Sequence, residues 1–126
     1  MYEIVINKRL TKKSRKGFRG WPMATIAFYG PDLSRASKAA VAIMETQDGE
    51  PTELRSWQSD SVDVRHDSII GEEILNFIEG HDVKSVTMSG GIIGCPHQEG
   101  IDYEGEWCPL CSFWKGRDRF TGKLLY

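Results

Sequence analysis

Ser34-Arg-Ala-Ser-Lys-Ala-Ala-Val-Ala-Ile-Met-Glu-Thr-Gln-Asp-Gly-Glu-Pro-Thr-Glu-Leu-Arg-Ser-Trp57 is the stretch on which the fold of this 126-residue chain turns. Ala36, Ala39, Ala40, Ile43 and Met44 fall at helical spacing, with Ser34 in place to cap a first turn. The same residues also fit a strand, because Val41 and Ile43 alternate with Ala40, Ala42 and Met44. The residues that follow favour the strand. Asp48-Gly49 is a hairpin signal, since both residues tolerate the positive φ of a tight turn, and Thr52 to Trp57 is a second run of the same kind. We therefore expect paired strands over about 37–46 and 52–58.

Outward from this hairpin the chain alternates in type. Ala24–Tyr29 is β-branched and aromatic and reads as a buried strand, closed by the turn signal Gly30-Pro31-Asp32. Tyr2 to Asn7, with Ile4 and Ile6 on one side, fits a further short strand. After a polar connector from Ser59 to Arg65, Asp67 or Ser68 can cap a helix over about 68–79. Its apolar stripe is Ile70, Ile74, Phe77 and Ile78, Glu72 and Glu73 lie near its positive end, and Gly80 stops it. Val83 to Ser89 alternates as a strand. Beyond Gly90-Gly91-Ile92-Ile93-Gly94 the chain is rich in Gly, Cys, Pro and aromatics and keeps no period.

These elements predict an α+β fold: a small sheet, made of a β-hairpin plus further strands, is covered by one amphipathic helix. An irregular, zinc-stapled C-terminal segment follows. The order of strand, hairpin, helix and strand resembles the first half of a ribonuclease-H-like fold. The first strand lacks the carboxylate those nucleases use to hold metal, so the resemblance implies no nuclease activity.

Composition narrows the class. The chain is 40% hydrophobic and 27% charged, as in a globular domain, and its size suits one core. Its longest apolar run, Ala39 to Met44, is far short of the roughly 20 residues of a membrane span, so no membrane partner is expected. Three cysteines are too few for a disulfide scaffold, and no secretory signal is visible, so a cytoplasmic location is expected. The net charge of −2 conceals an asymmetry: residues 1–22 carry seven Lys/Arg and one acid, residues 23–126 nine and seventeen. The basic residues repel one another, so 1–22 reads as a flexible arm on a single domain spanning 23–126.

Chemistry concentrates in that domain's segment 91–120. Cys95-Pro96-His97 is a CxH, and Cys108-Pro109-Leu110-Cys111 is a CxxC knuckle whose tight turn lets two thiolates reach one ion. Ten residues between the pairs suffice for a returning loop. Three sulfurs and one imidazole form a closed tetrahedral shell, which predicts a structural Zn2+ held by Cys95, His97, Cys108 and Cys111. With no open position for water, the reading leans away from an enzyme and towards a binding or adaptor module. His66 and His81, the other two imidazoles, read as surface or capping residues.

Two enzymatic readings compete, a redox CxxC and a zinc hydrolase or deaminase with an open coordination position. A redox CxxC needs a preceding strand, which Gly105-Glu106-Trp107 does not supply, and leaves Cys95 without a role. His97-Gln98-Glu99 followed by Cys108 and Cys111 imitates the HxE…PCxxC pattern of zinc deaminases, whose halves lie on separate helices with a strand between. The ten intervening residues cannot hold those elements, and residue 107 is Trp rather than Pro.

A nucleic-acid-binding zinc protein is the alternative function. Phe113, Trp114, Lys115, Arg117, Arg119 and Phe120 interleave rings with cations, the ingredients for stacking on bases and pairing with phosphates. Lys12, Lys13, Arg15 and Lys16 in the arm add sequence-independent phosphate contacts. Opposing this, the loop acids Glu99, Asp102, Glu104 and Glu106 could pair with the basic tail.

Gly91-Ile-Ile-Gly-Cys-Pro-His97, Gly100-Ile-Asp-Tyr103, Cys108-Pro-x-Cys111 and Phe113-Trp114…Arg117-Asp-Arg119 together resemble the tail of a family of small uncharacterised bacterial proteins. The resemblance covers about residues 23–121. It implies that the cysteines and the histidine form one unit, and it implies no activity.

Overall fold

In the computed structural model, which describes residues 8–97 and 108–124, the ambiguous stretch is a strand. Lys38–Met44 pairs antiparallel with Glu53–Gln58, from Lys38 opposite Gln58 to Ile43 opposite Glu53. Ala39, Val41 and Ile43 are each at most 1% exposed. In a strand these three share one face, whereas a helix would spread them around its circumference. Burial on a common face overrides the helical preference of alanine. The connection is not a two-residue turn at Asp48-Gly49 but a loop over 45–52. Pro51 has no N–H to give a ladder, and Thr52 closes the loop instead, its N–H and hydroxyl donating to the Ile43 carbonyl at 2.9 and 3.2 Å.

The chain order is α1 (Lys8–Arg15), β1 (Met23–Tyr29), β2 (Lys38–Met44), β3 (Glu53–Gln58), α2 (Ser68–Gly80) and β4 (Ser85–Ile92). The four strands form one mixed sheet in the order β3-β2-β1-β4, with β1 antiparallel to β2 and parallel to β4. Ala24, Ile26 and Phe28 of β1, opposite Ile43, Val41 and Ala39 of β2, make the buried face together with Trp57 and Val86. The core they form takes in Ile70, Ile74, Leu75 and Ile78 of α2. The fold is therefore α+β, with the helix stripe as expected and Leu75 added to it.

Caps hold α2 in register. Asp67 accepts from the N–H groups of Ile69 and Ile70 at 2.9 and 3.1 Å, and the His81 ring contacts the Phe77 carbonyl through Nδ1 at 2.8 Å. In front of α2, the Arg65 guanidinium, which is buried, meets Asp63 at 2.6 Å, and Asp63 also accepts from the Ala36 N–H at 3.1 Å. This pair ties the connector to the base of β2.

The basic segment departs from the expected flexible arm. Residues 8–15 are helical, and Leu10, the one apolar residue of α1, is 2% exposed within the common core. The segment after α1 is pinned as well: Ser85 Oγ accepts from the Arg19 N–H and donates to the Gly20 carbonyl, both at 2.7 Å. One buried leucine and a few backbone bonds are enough to dock a segment whose charges remain at the surface. The strand expected over Tyr2–Asn7 lies outside the described residues. No described helix is long and apolar enough to cross a membrane.

Candidate metal centre

β4 delivers the first half of the site. Its pairing with β1 is irregular, since Ile26 faces Met88 whereas Phe28 faces Ile92. Ser89 fills the gap, its hydroxyl accepting from the Phe28 N–H at 3.3 Å and donating to the Gly91 carbonyl at 3.0 Å. Two further backbone bonds, Ile93 N–H to Phe28 O at 2.8 Å and Gly30 N–H to Gly94 O at 2.9 Å, carry the pairing past the strand end. Gly94 then turns the chain with φ 118°, a value disfavoured for residues with a Cβ. Cys95 and His97 follow, and Lys38 Nζ donates to the Pro96 carbonyl between them at 3.2 Å.

The second half comes from the tail. The Cys111 N–H donates to the Cys108 carbonyl at 3.3 Å, closing the knuckle, and a single 3-10 turn at Ser112–Trp114 follows. Trp114 is 4% exposed and its Nε1 donates to the Gly30 carbonyl at 2.8 Å. This anchor presses the knuckle against the end of β1 and β4. Gly30 is obligatory there, because a Cβ at that position would lie 2.1 Å from the Arg35 carbonyl oxygen.

The four ligand atoms converge. One donor atom from each of Cys95, His97, Cys108 and Cys111 lies within 4.8 Å of all the others, and the three cysteines are buried and free of disulfides. His97 Nδ1 sits 3.3 Å from Cys108 Sγ and 3.6 Å from Cys111 Sγ. Tetrahedral coordination with Zn–S of about 2.3 Å and Zn–N of about 2.05 Å requires an N···S separation of about 3.6 Å. The donor set and its spacing thus fit a metal ion of this kind, with Nδ1 as the imidazole donor.

Without a cation the cluster is a poor place for thiolates. Burial pushes the Cys111 thiol up to about 12, with Cys95 and Cys108 alongside adding to the effect. Cys95 is raised too, first by burial and then by Cys108, against a lowering contribution from the His97 backbone. A divalent cation reverses this balance by pairing with the thiolates directly.

The expected tail cations have other employment. Arg117 donates to the carbonyls of Phe113 and Gly122 at 3.0 and 2.8 Å and lies over the Phe113 ring at 4.3 Å. Arg119 donates to the Ile93 carbonyl at 3.3 Å and faces the Tyr29 and Phe120 rings. Trp114, expected as a stacking surface, is a core residue and cannot reach a base. Only Lys115 among the four expected tail contacts is exposed without such a role. Lys12, Lys13, Arg15 and Lys16 lie on or just after α1, whose following segment joins β4 at Ser85, whereas the tail meets β4 beyond Ile92. The two expected groups of contacts are thus tied to opposite ends of β4. The acidic loop Glu99, Asp102, Glu104 and Glu106 lies outside the described residues.

Beside the ligands is a shallow cleft of about 290 Å3 bordered by Arg35, Ser37, Gln58, Asp60, His97 and Cys111. Arg35, Ser37, Gln58 and Asp60 carry no motif in the sequence; tertiary folding alone brings them to the metal ligands. No family model, curated protein or solved structure matches the chain.

Proposed function

We propose that this chain is a small zinc-binding protein whose Cys3His centre is structural, and that it serves as a binding or adaptor module. The observation that carries this reading is the convergence of four soft donors from two separate segments, three of them buried. Four protein ligands leave a tetrahedral ion no position for substrate or water. Zn2+ on three thiolates and a neutral imidazole carries one net negative charge, and the Lys38 ammonium beside Pro96 offsets part of it. The ion's contribution is stability: binding to such centres provides on the order of 10 kcal/mol in apparent terms, enough to order a tail with little regular structure.

Enzymatic zinc chemistry has less support. In a deaminase the HxE and CxxC ligands start helices, whereas here Cys108 to Cys111 forms a knuckle and Cys95 completes the donor set. The test is elemental analysis of untagged protein combined with X-ray absorption at the zinc edge. One zinc per chain with three sulfur and one nitrogen neighbours is the expected result. Absence of stoichiometric metal, or an oxygen in the shell, would defeat the proposal.

A further inference from the structure

Arg9, Lys12, Lys13 and Lys16 stand three, one and three residues apart, so α1 and the turn after it carry them on one side. They border a shallow depression of about 190 Å3. The helix contains no acidic residue. Arg9 is paired with Glu79 at 3.2 Å, and among the described residues no carboxylate pairs with Lys12, Lys13 or Lys16. Like charges at these spacings destabilise a helix, and an anion laid along them relieves the repulsion.

An exposed aromatic ring follows this stripe along the chain. Phe18 is 62% exposed and stands edge-on to Trp21 at 5.5 Å between ring centres. The backbone between the two rings is fixed by the Ser85 hydroxyl through Arg19 and Gly20. The ring is thus presented on an anchored segment directly after the cations.

We propose that this surface binds single-stranded nucleic acid, the lysines contacting backbone phosphates and Phe18 stacking on a base. From residue 9 to 16 the stripe runs about 10 Å, the axial reach of about three successive phosphates. Exposed ring and regular cations together suit a polyanion that carries bases. A lipid surface is disfavoured because amphipathic helices enter membranes by an apolar face, and the one apolar residue of α1 is already in the core. The proposal names a partner for the binding module inferred above and is independent of its metal.

Fluorescence anisotropy of the full zinc-loaded chain with a labelled 20-nucleotide single strand tests this. The logarithm of the binding constant should fall with log salt with a slope of about −2 to −3, as three or four phosphate contacts require. Lys12→Glu/Lys13→Glu/Lys16→Glu should lose at least about tenfold in affinity and flatten the slope, and the corresponding Gln triple should lose less. Both should keep wild-type zinc content and thermal transition. Phe18→Ala should lose about tenfold without changing the slope. Cys108→Ser, which removes a metal ligand, should bind the strand as before, so a failed metal reading and a failed nucleic-acid reading give different results. Absence of binding by the wild type at 50 mM salt (roughly the low end of the range where such contacts dominate), full affinity in both triples, or tighter binding to a duplex or to phosphatidylserine vesicles would overturn the proposal.

Discussion

The indole Nε1 of Trp114 donates to the carbonyl of Gly30 at 2.8 Å, across 84 positions of sequence. Gly30 also donates its own N–H to Gly94, the residue before the first cysteine ligand. One glycine therefore links the sheet to both halves of the metal centre.

Trp114 accordingly tests how the tail is held. Trp114→Phe keeps most of the buried ring and leaves the Gly30 carbonyl without its indole donor; the expected cost is about 1–2 kcal/mol. Trp114→Ala also opens a cavity and should cost about 3–5 kcal/mol. Urea denaturation of the zinc-loaded protein measures both; an unchanged stability in Trp114→Phe would show that the hydrogen bond contributes nothing, and equal costs in the two variants would show that burial of the ring contributes nothing.

Removing one ligand separates tail from domain. Cys108→Ser should abolish stoichiometric zinc and raise amide exchange over 108–124, while α2 and the sheet keep their protection. Hydrogen exchange read by mass spectrometry distinguishes this from collapse of the entire fold, which would mean that the metal holds both parts together.

Zinc uptake should release protons. Cys95 and Cys111 are raised by burial, Cys111 to about 12, so both are protonated at neutral pH in the metal-free chain. Each must lose its proton to bind, and affinity must therefore rise with pH, by at least about a hundredfold per unit from these two protons alone. Competition with a chelator of known pH dependence between about pH 6 and 8 measures the slope; a flat profile would contradict protonated thiols in the apo state.

Asp63 offers a test in the acid range. Partial burial raises its carboxyl, but hydrogen bonds from the Arg65 side chain and from the Ala36 and Arg65 N–H groups outweigh that and hold it below the ordinary 3.8. The stabilisation is therefore complete above that value and is lost as pH falls through the lower folded value. Asp63→Asn should cost about 3 kcal/mol at pH 7, because it leaves the buried Arg65 guanidinium without this carboxylate. The difference between wild type and variant, followed by denaturation, should shrink as the pH falls from about 5 to 2.

Leu10 reports on the docking of α1. Leu10→Ala should cost about 2–3 kcal/mol and raise amide exchange over residues 8–15. Unchanged exchange there would mean that backbone contacts alone hold the helix.

Local pattern was enough for the parts that need only neighbours along the chain. The stripe from Ile70 to Ile78, a cap at Asp67 or Ser68 and the β-branched and aromatic content of residues 24–29 specify one helix and one strand, because periodicity, capping and side-chain shape act over a turn or two. The CxH and CxxC pairs name the ligands for the same reason: a donor's chemistry and its spacing within a pair are local. Tertiary structure decided whether residues 38–44 became strand or helix, since only burial of Ala39, Val41 and Ile43 on a shared face outweighs alanine's preference. It also decided the fate of Trp114, Arg117 and Leu10, whose partners lie in other elements or in turns of the tail. Rings and cations look alike in a sequence whether they face water or carbonyl groups; which they face depends on distant chain segments arriving at the same place.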